Sequence, residues 1–298
     1  MNINVIKNMK IFIIISLVII GAGLLVSIFA GFNSGIDFTG GTLIQIEFGK
    51  KIAVNELREI TDTVDKGASI VHTGDERTQV IIRTSKSLDN EERLDFFNLF
   101  KEKYQLSDEA LVNQRKFEAA IGNETKIKAL LSVVIATIGM LIYISFRFEF
   151  KFGVAAIIAL IHDVLIGLSV YALLRIPINS SFIAAMLTIV GYSINDTIVV
   201  FDRVRENTKL MRKENFSDIV NTSVSQTLRR SINTSVTTLL AIASLYVFGV
   251  ESIKEFALPL IIGIIAGTYS SIFIASPVWY YLATKKGDIN YYNPNKLK

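Results

Sequence analysis

The chain has 298 residues, of which 51% are hydrophobic, with a mean hydropathy of +0.45 and a formal net charge of +4. The apolar excess lies in long blocks, which points to a protein that crosses a membrane several times. There is no cysteine, so disulfides, thiolate catalysis and thiolate metal sites are excluded, and two histidines, His72 and His162, are too few for a histidine-built metal centre. The basic residues flank apolar spans and read as topology signals, not as a nucleic-acid surface.

Residues 1–10 are short and basic, and Ile11–Ala30 is almost unbroken apolar. A signal peptide is the competing reading. Its apolar core usually runs about 7–15 residues, shorter than this one. Residues 1–32 are therefore read as a cytoplasmic N-terminus and an uncleaved first span.

Residues 33–125 have the texture of a small folded domain. Thr42–Phe48 alternates with period two and predicts a strand. Val54, Leu57, Ile60 and Val64 predict a helical face. Two strand-like runs, Ala68–His72 and Thr78–Thr84, are joined by a turn at Gly74-Asp75. A helix follows over Asn90–Tyr104, with Leu94, Phe97 and Phe100 inward, and then a strand within Ala110–Ala120. The order β-α-β-β-α-β is the ferredoxin-like pattern.

Residues 126–284 hold five more apolar blocks, about Ile127–Phe146, Phe152–Leu174, Ser181–Phe201, Arg230–Val250 and Phe256–Ala283. Each is near the twenty residues a spanning helix needs. Lys7, Lys10, Arg147, Lys151, the loop of about 203–229, Lys285 and Lys286 fall on one side, against Arg175 and Lys254 on the other. The positive-inside rule then puts both termini, including the tail 285–298, in the cytoplasm and the domain outside. The fold expected is a polytopic α-helical membrane protein of six spans, with an external ferredoxin-like α+β domain between the first two.

Inside the spans the ionisable residues stand out. Asp196 lies in the fourth apolar block, Asp163 is central in the third beside His162, and Arg230 opens the fifth. A charge near the centre of a bilayer helix costs roughly 2.5–3.5 kcal/mol on insertion scales, so such residues mark ion pathways. A buried Asp held by hydrogen bonds as a packing device is the bland alternative. Arg230, Thr234 and Thr237 share a face with Ala241, as do Thr188, Tyr192 and Asp196. The hydroxyls can serve as interhelical hydrogen bonds. The proton affinity of a buried carboxyl depends on any arginine beside it, so an Asp facing a mobile Arg would change affinity with conformation. A proton crossing roughly 150 mV releases about 3.5 kcal/mol, enough to bias two states more than a hundredfold. Asp202 and Arg203 read as helix-end charges, and His162 and Asn195 as relay candidates or hydrogen-bonded neighbours. Gly263 and Gly267 form a small-xxx-small pair for helix packing. Gly49-Lys50 lacks the rest of a phosphate loop, so nucleotide hydrolysis is not expected.

Gly35-Ile36-Asp37-Phe38-Thr39-Gly40-Gly41, His162-Asp163-Val164, the run Gly191–Asn207 and the run Gln226–Ser235 together resemble the SecD/SecF family, its SecF members in particular. The resemblance covers almost the whole chain, in order. It implies an accessory subunit of the bacterial Sec export machinery in the cytoplasmic membrane, related to resistance-nodulation-division transporters. Such a subunit acts with SecD and the SecYEG channel on preproteins, surrounded by membrane lipids, driven by a proton or sodium gradient, with no cofactor and no covalent catalysis. The family's essential carboxylate falls on Asp196, its arginine partner on Arg230 and a further acidic position on Asp163. Gly35, Asp37, Gly40 and Gly41 match the signature at the domain entry. Where the family shows Val-Gly-Pro before the second span, this chain reads Glu118-Ala119-Ala120-Ile121-Gly122. A scaffold subunit without ion coupling and half of a small-molecule exporter are the alternatives.

Overall fold

A computed structural model describes residues 4–284 apart from Asp75, Phe148, Arg212 and Lys213, and gives the backbone alone for Arg147, Glu251 and Ser252. Among these residues, six helical segments are long and apolar enough to span a membrane. They are α1 (Met9–Ala30), α5 (Ala119–Arg147), α6 (Phe150–Leu173), α7 (Ser180–Leu210), α8 (Phe216–Phe248) and a composite last rod. That rod is α9 (Glu251–Ser270), a single wide π turn (Ser271–Ala275) and α10 (Ser276–Thr284). Helices suit this setting because each closes its own backbone hydrogen bonds, which nothing in hydrocarbon could do for an open chain.

Between α1 and α5 sits the α+β domain. Its entry turn is a short helix α2 (Ile36–Thr39), followed by β1 (Gly41–Glu47), α3 (Val54–Val64), β2 (Ser69–Thr73), β3 (Gln79–Thr84), α4 (Asn90–Tyr104) and β4 (Leu111–Phe117). The sheet is antiparallel in the order β2-β3-β1-β4, the ferredoxin-like arrangement expected from the sequence. Ile44 faces Ile82 and Ile46 faces Val80 across β1 and β3, and these side chains pack on Leu57, Phe97 and Phe100 of the two helices. Helix α4 opens on a capping box in which Asp89 and Glu92 satisfy each other's backbone N–H groups.

Three expectations need correction. Leu94 points outward, 47% exposed, and Arg93, Phe96, Phe97 and Phe100 form the buried face. The i, i+3, i+4, i+7 phase starting at Arg93 wins because the arginine hydrogen-bonds Gln114 and the Leu88 carbonyl while covering the core with its stem. The residues before Lys126 are already helical from Ala119, so β4 ends at Phe117 and passes almost directly into α5. The segment of about 203–229 is mostly not loop. Helices α7 and α8 continue through it and turn between Leu210 and Phe216. Asp75, Lys285, Lys286 and the tail 285–298 lie outside the described residues.

The domain is seated on the bundle at a polar junction. Ser34 and Ile178 form a parallel bridge, with Gly35 N–H donating to the Ile178 carbonyl at 2.7 Å and Ile178 N–H to that of Asn33 at 2.8 Å. Asp37 Oδ2 accepts from the first backbone N–H of α7, that of Ser180, at 2.9 Å. Glu255 in the second turn of α9 takes Arg83 of β3 at 2.5 Å on one oxygen and Asn179 Nδ2 at 2.9 Å on the other. Gly40 and Gly41, at φ +75° and +143°, make the turn from α2 into β1 in a region closed to most side chains. Gly122, the glycine left in the altered Glu118–Gly122 stretch, has a steric reason to be there. A Cβ at that position would stand 2.8 Å from the Phe38 carbonyl oxygen.

Asp65, at the end of α3, knits the domain by accepting from Thr84 Oγ1 at 2.6 Å and the Gly67 N–H at 2.8 Å, with Ser85 further off. Partial burial pushes its carboxyl upward, but these hydrogen bonds outweigh it and hold the group below its ordinary value of 3.8. A depressed folded pKa means that its contribution is complete above the unfolded value and fades as pH falls through the folded one. Asp65→Asn should therefore raise hydrogen exchange at the Ser85 and Gly67 amides about tenfold at neutral pH, a local cost of about 1–2 kcal/mol. The difference from wild type should vanish in acid below the carboxylate range. Equal exchange at pH 7 would contradict this role.

Candidate functional site

The two membrane carboxylates fold into different surroundings. Asp163, 1% exposed, sits where α6, α7 and α9 converge. Its Oδ2 accepts from Ser193 Oγ of α7 at 2.6 Å and from Ser270 Oγ of α9 at 2.9 Å, and its Oδ1 lies 3.0 Å from His162 Nδ1. His162 Nε2 reaches Ser16 Oγ of α1 at 2.8 Å, and its ring stacks beside Tyr269, whose hydroxyl donates to the Phe12 carbonyl of α1. One carboxylate thus gathers side chains from four helices. Such closeness needs small residues. A Cβ on Gly263 would fall 2.0 Å from Ile189 Cδ1, and one on Gly267 3.0 Å from Ser193 Cβ, so this pair packs α9 against α7 as expected.

The π turn continues the network. Ser271, its first residue, shares a hydrogen bond of 2.9 Å with Thr197 Oγ1, and Ser276 Oγ donates to the Ser271 carbonyl at 3.2 Å. The wider turn frees backbone groups that these hydroxyls then serve, and π turns of this kind concentrate at functional sites.

Asp196 is 8% exposed, on α7 next to Thr197, and turns toward α8. The Ser231 hydroxyl approaches its carboxyl without completing a hydrogen bond, and both Asp196 Oδ2 and Ser231 Oγ are buried without a partner. Arg230, the residue before Ser231, is exposed, and its charge acts on Asp196 without an ion pair between them among the described residues. A turn away, Tyr192 OH donates to Thr238 Oγ1 at 3.2 Å, closing the α7–α8 contact. Asn195 and Asp202 are exposed and join neither cluster. Asp37 stands at the junction described above, with Gly35, Gly40 and Gly41 forming the backbone around it.

The sequence therefore names the carboxylates and, of their partners, His162 beside Asp163, but not the hydroxyls. The face of α8 that turns inward carries Thr227, Ser231 and Ser235, not Arg230, Thr234 and Thr237. Their i, i+4 spacing was the available signal. Ser16, Ser193, Ser270 and Ser271 do not stand out in the sequence, because small hydroxyls are tolerated anywhere in a span and these carry no periodicity. Among the described residues no group of three or more His, Asp or Glu side chains could hold a metal ion.

Comparison with known proteins assigns the chain. The family model described as protein export membrane protein SecD/SecF, C-terminal, matches residues 98–285, and that of the SecD/SecF GG motif matches residues 26–52. The chain is 40% identical over 284 residues to the protein translocase subunit SecF of Calditerrivibrio nitroreducens, covering 94% of this chain and 93% of that one. The chain belongs to the SecD/SecF family. The protein translocase subunit SecDF of Bacillus subtilis is 36% identical, across 91% of this chain and 37% of its own. A crystal structure of SecDF from Thermus, described as a translocon-associated membrane protein, superposes with a TM-score of 0.83 at 36% identity, covering 96% of this chain and 39% of that one. The SecD/SecF GG motif spans the entry turn, and the Asp37–Ser180 hydrogen bond gives its carboxylate a physical task, capping α7.

The two carboxylates should separate in a stability experiment. Asp163→Ala strands the Ser193 hydroxyl and one nitrogen of His162 and leaves Ser270 only its longer contact to the Gly267 carbonyl, and should cost about 2–4 kcal/mol. In detergent, that is a clear fall in melting temperature of the purified protein. Asp196→Asn removes a buried charge that no hydrogen bond holds, and should leave the melting temperature unchanged or higher. A large loss from Asp196→Asn would show that its carboxylate is structural.

Proposed function

We propose that this chain is an accessory subunit of the Sec protein translocase that works with SecD and uses an ion gradient to assist movement of preproteins across the cytoplasmic membrane. Asp196 is the coupling carboxylate, Arg230 its charge partner and Asp163 the anchor of the bundle around it. The observation that carries this reading is Asp196 itself, buried in a spanning helix with an oxygen that no hydrogen bond satisfies. A carboxylate costs a spanning helix roughly 2.5–3.5 kcal/mol, and such a group inside a span marks an ion pathway. A carboxyl without fixed partners can take up and release an ion, whereas the fully engaged Asp163 would first have to break three contacts. His162 and Ser16 extend the Asp163 network to α1, and Asn195 and Asp202 serve as solvated groups along α7.

Partnership with SecD is supported by longer relatives. The relatives called SecDF are longer chains in which this sequence matches 37% and 39% of the length, leaving room for a SecD half. On this reading SecYEG and a preprotein are the further partners, and lipids surround the spans. The distribution of Lys and Arg supports cytoplasmic termini and an external α+β domain. The contacts of Asp37 with the first turn of α7 and of Arg83 with Glu255 in the second turn of α9 give movement of those helices a route to that domain.

The test is preprotein secretion in cells whose only copy of this subunit carries Asp196→Asn, with its membrane level checked by blotting. Secretion should fall at least tenfold with the level unchanged. Full secretion would instead make the chain a scaffold for its partners.

A further inference from the structure

On the domain side of the bundle, α5 stands away from α6 and α7 and leaves a crevice of about 680 Å³ open to the surroundings. The wall formed by α5 is one helical face, Asn123, Lys126, Leu130 and Val133, and the floor includes Phe182 and Met186 of α7. We propose that this crevice is a binding site for one anionic phospholipid, its headgroup on Lys126 and an acyl chain lying along α5.

Four features point to that occupant. From Asn123 to Val133 the groove runs roughly 15 Å at 1.5 Å per residue, about half of a 30 Å hydrocarbon core and so one leaflet deep. Polarity changes along it in the same sense as in a lipid. Asn123, Lys126 and Ser34 line it together with side chains that are otherwise almost all apolar, and on α5 the polar residues lie toward the domain and the apolar ones toward the bilayer. Lys126 is exposed and has no carboxylate partner among the described residues, while Lys128 is already held by Glu124 at 2.6 Å. Finally, the rest of the lining, Phe32, Phe38, Val164 and Leu168 among it, offers an acyl chain apolar contact and leaves no polar group there to satisfy.

The site has a consequence for the bundle. Phe182 lies in the first turn of α7, where Asn179 caps its N–H, and Met186 lies one turn further on. Both belong to the buried cluster with Ile189 and Leu260 that packs α7 on α9. A chain in the crevice therefore bears on the end of α7 that Asp37 also holds.

Native mass spectrometry of the purified full-length protein in neutral detergent tests this, with phosphatidylglycerol and phosphatidylcholine of identical acyl chains as probes. Wild type should retain phosphatidylglycerol in preference. Lys126→Gln should weaken that retention about fivefold and erase the preference, and Lys126→Arg should keep it, because a lysine near an anionic surface acts through its charge. Val133→Trp, which fills the groove, should weaken retention of both lipids. Equal retention of phosphatidylglycerol by wild type, Lys126→Gln and Val133→Trp would mean general annular lipid and a lysine that merely reaches the interface, and would overturn the proposal. Equal retention of the two lipids by wild type would overturn it as well.

Discussion

Asp163 is the point on which the packing of the bundle depends. A carboxylate removed from water is tolerable only if its oxygens find donors, and here the donors come from elsewhere in the fold. They are Ser193 on α7, Ser270 on α9 and the neighbouring His162, itself braced by Ser16 on α1. Satisfying one group therefore fixes the mutual positions of four helices. The steric pattern follows from the same demand. For Ser193 and Ser270 to reach one oxygen, α7 and α9 must pass closely, and Gly263 and Gly267 remove the side chains that would keep them apart. In lipid there is little hydrophobic drive between helices, so close packing and shared hydrogen bonds must hold them.

Against that fixed point, Asp196 stands out by what it lacks. It is one residue before Thr197, which bonds to Ser271, and three after Ser193, which bonds to Asp163. Helical geometry turns it away from both, toward Ser231 on α8, where its second oxygen finds no donor. Helix α8 is also the more weakly embedded of the two. Its first turns are anchored by Ile219, Val220, Val224 and Leu228, but further along Val236, Leu240 and Leu245 face outward and the buried positions are Ser231 and Ser235. Helix α7 thus has a rigid side, built on Asp163, and a side where Asp196 meets α8 with an oxygen unpartnered.

Much of this was legible in the sequence, and the failures have physical causes. The six spans and the order of strands and helices in the domain follow from hydropathy and period, because burial in lipid or in a core imposes those patterns on many residues at once. The ionisable residues were conspicuous for the opposite reason, as single costly exceptions. Partners were harder to read. Ser16 and Ser270 lie far apart along the chain and join one network only because α1, α6 and α9 pack together. On α8 the inward face lies one residue round from Arg230, so the most polar residue of the helix does not mark the contact. In a membrane bundle a long cation can face outward and act at a distance, while small hydroxyls fill the tight contact. The helical extensions beyond Phe201 and before Arg230 were hidden by their charge, which argues against a span but not against a helix.

The domain junction shows how the two halves of the molecule share these constraints. The first N–H groups of any helix lack internal partners, and α7 begins where the chain emerges toward the domain. Asn179 satisfies one such group from within α7, and Asp37 satisfies another from the entry turn of the domain. Asn179 then passes its amide to Glu255, which also receives Arg83 from the sheet. The first turn of α7 is thereby completed by a residue of the domain, and α9 is tied to the domain through the Arg83–Glu255 pair. Because α7 and α9 are also the helices clasped around Asp163, a displacement of either at the membrane centre cannot stop at the junction. It must either carry the domain with it or break the Asp37 and Glu255 contacts, and the sequence joins the domain to the bundle otherwise only through the turn at Gly40-Gly41 and the short passage from Phe117 to Ala119.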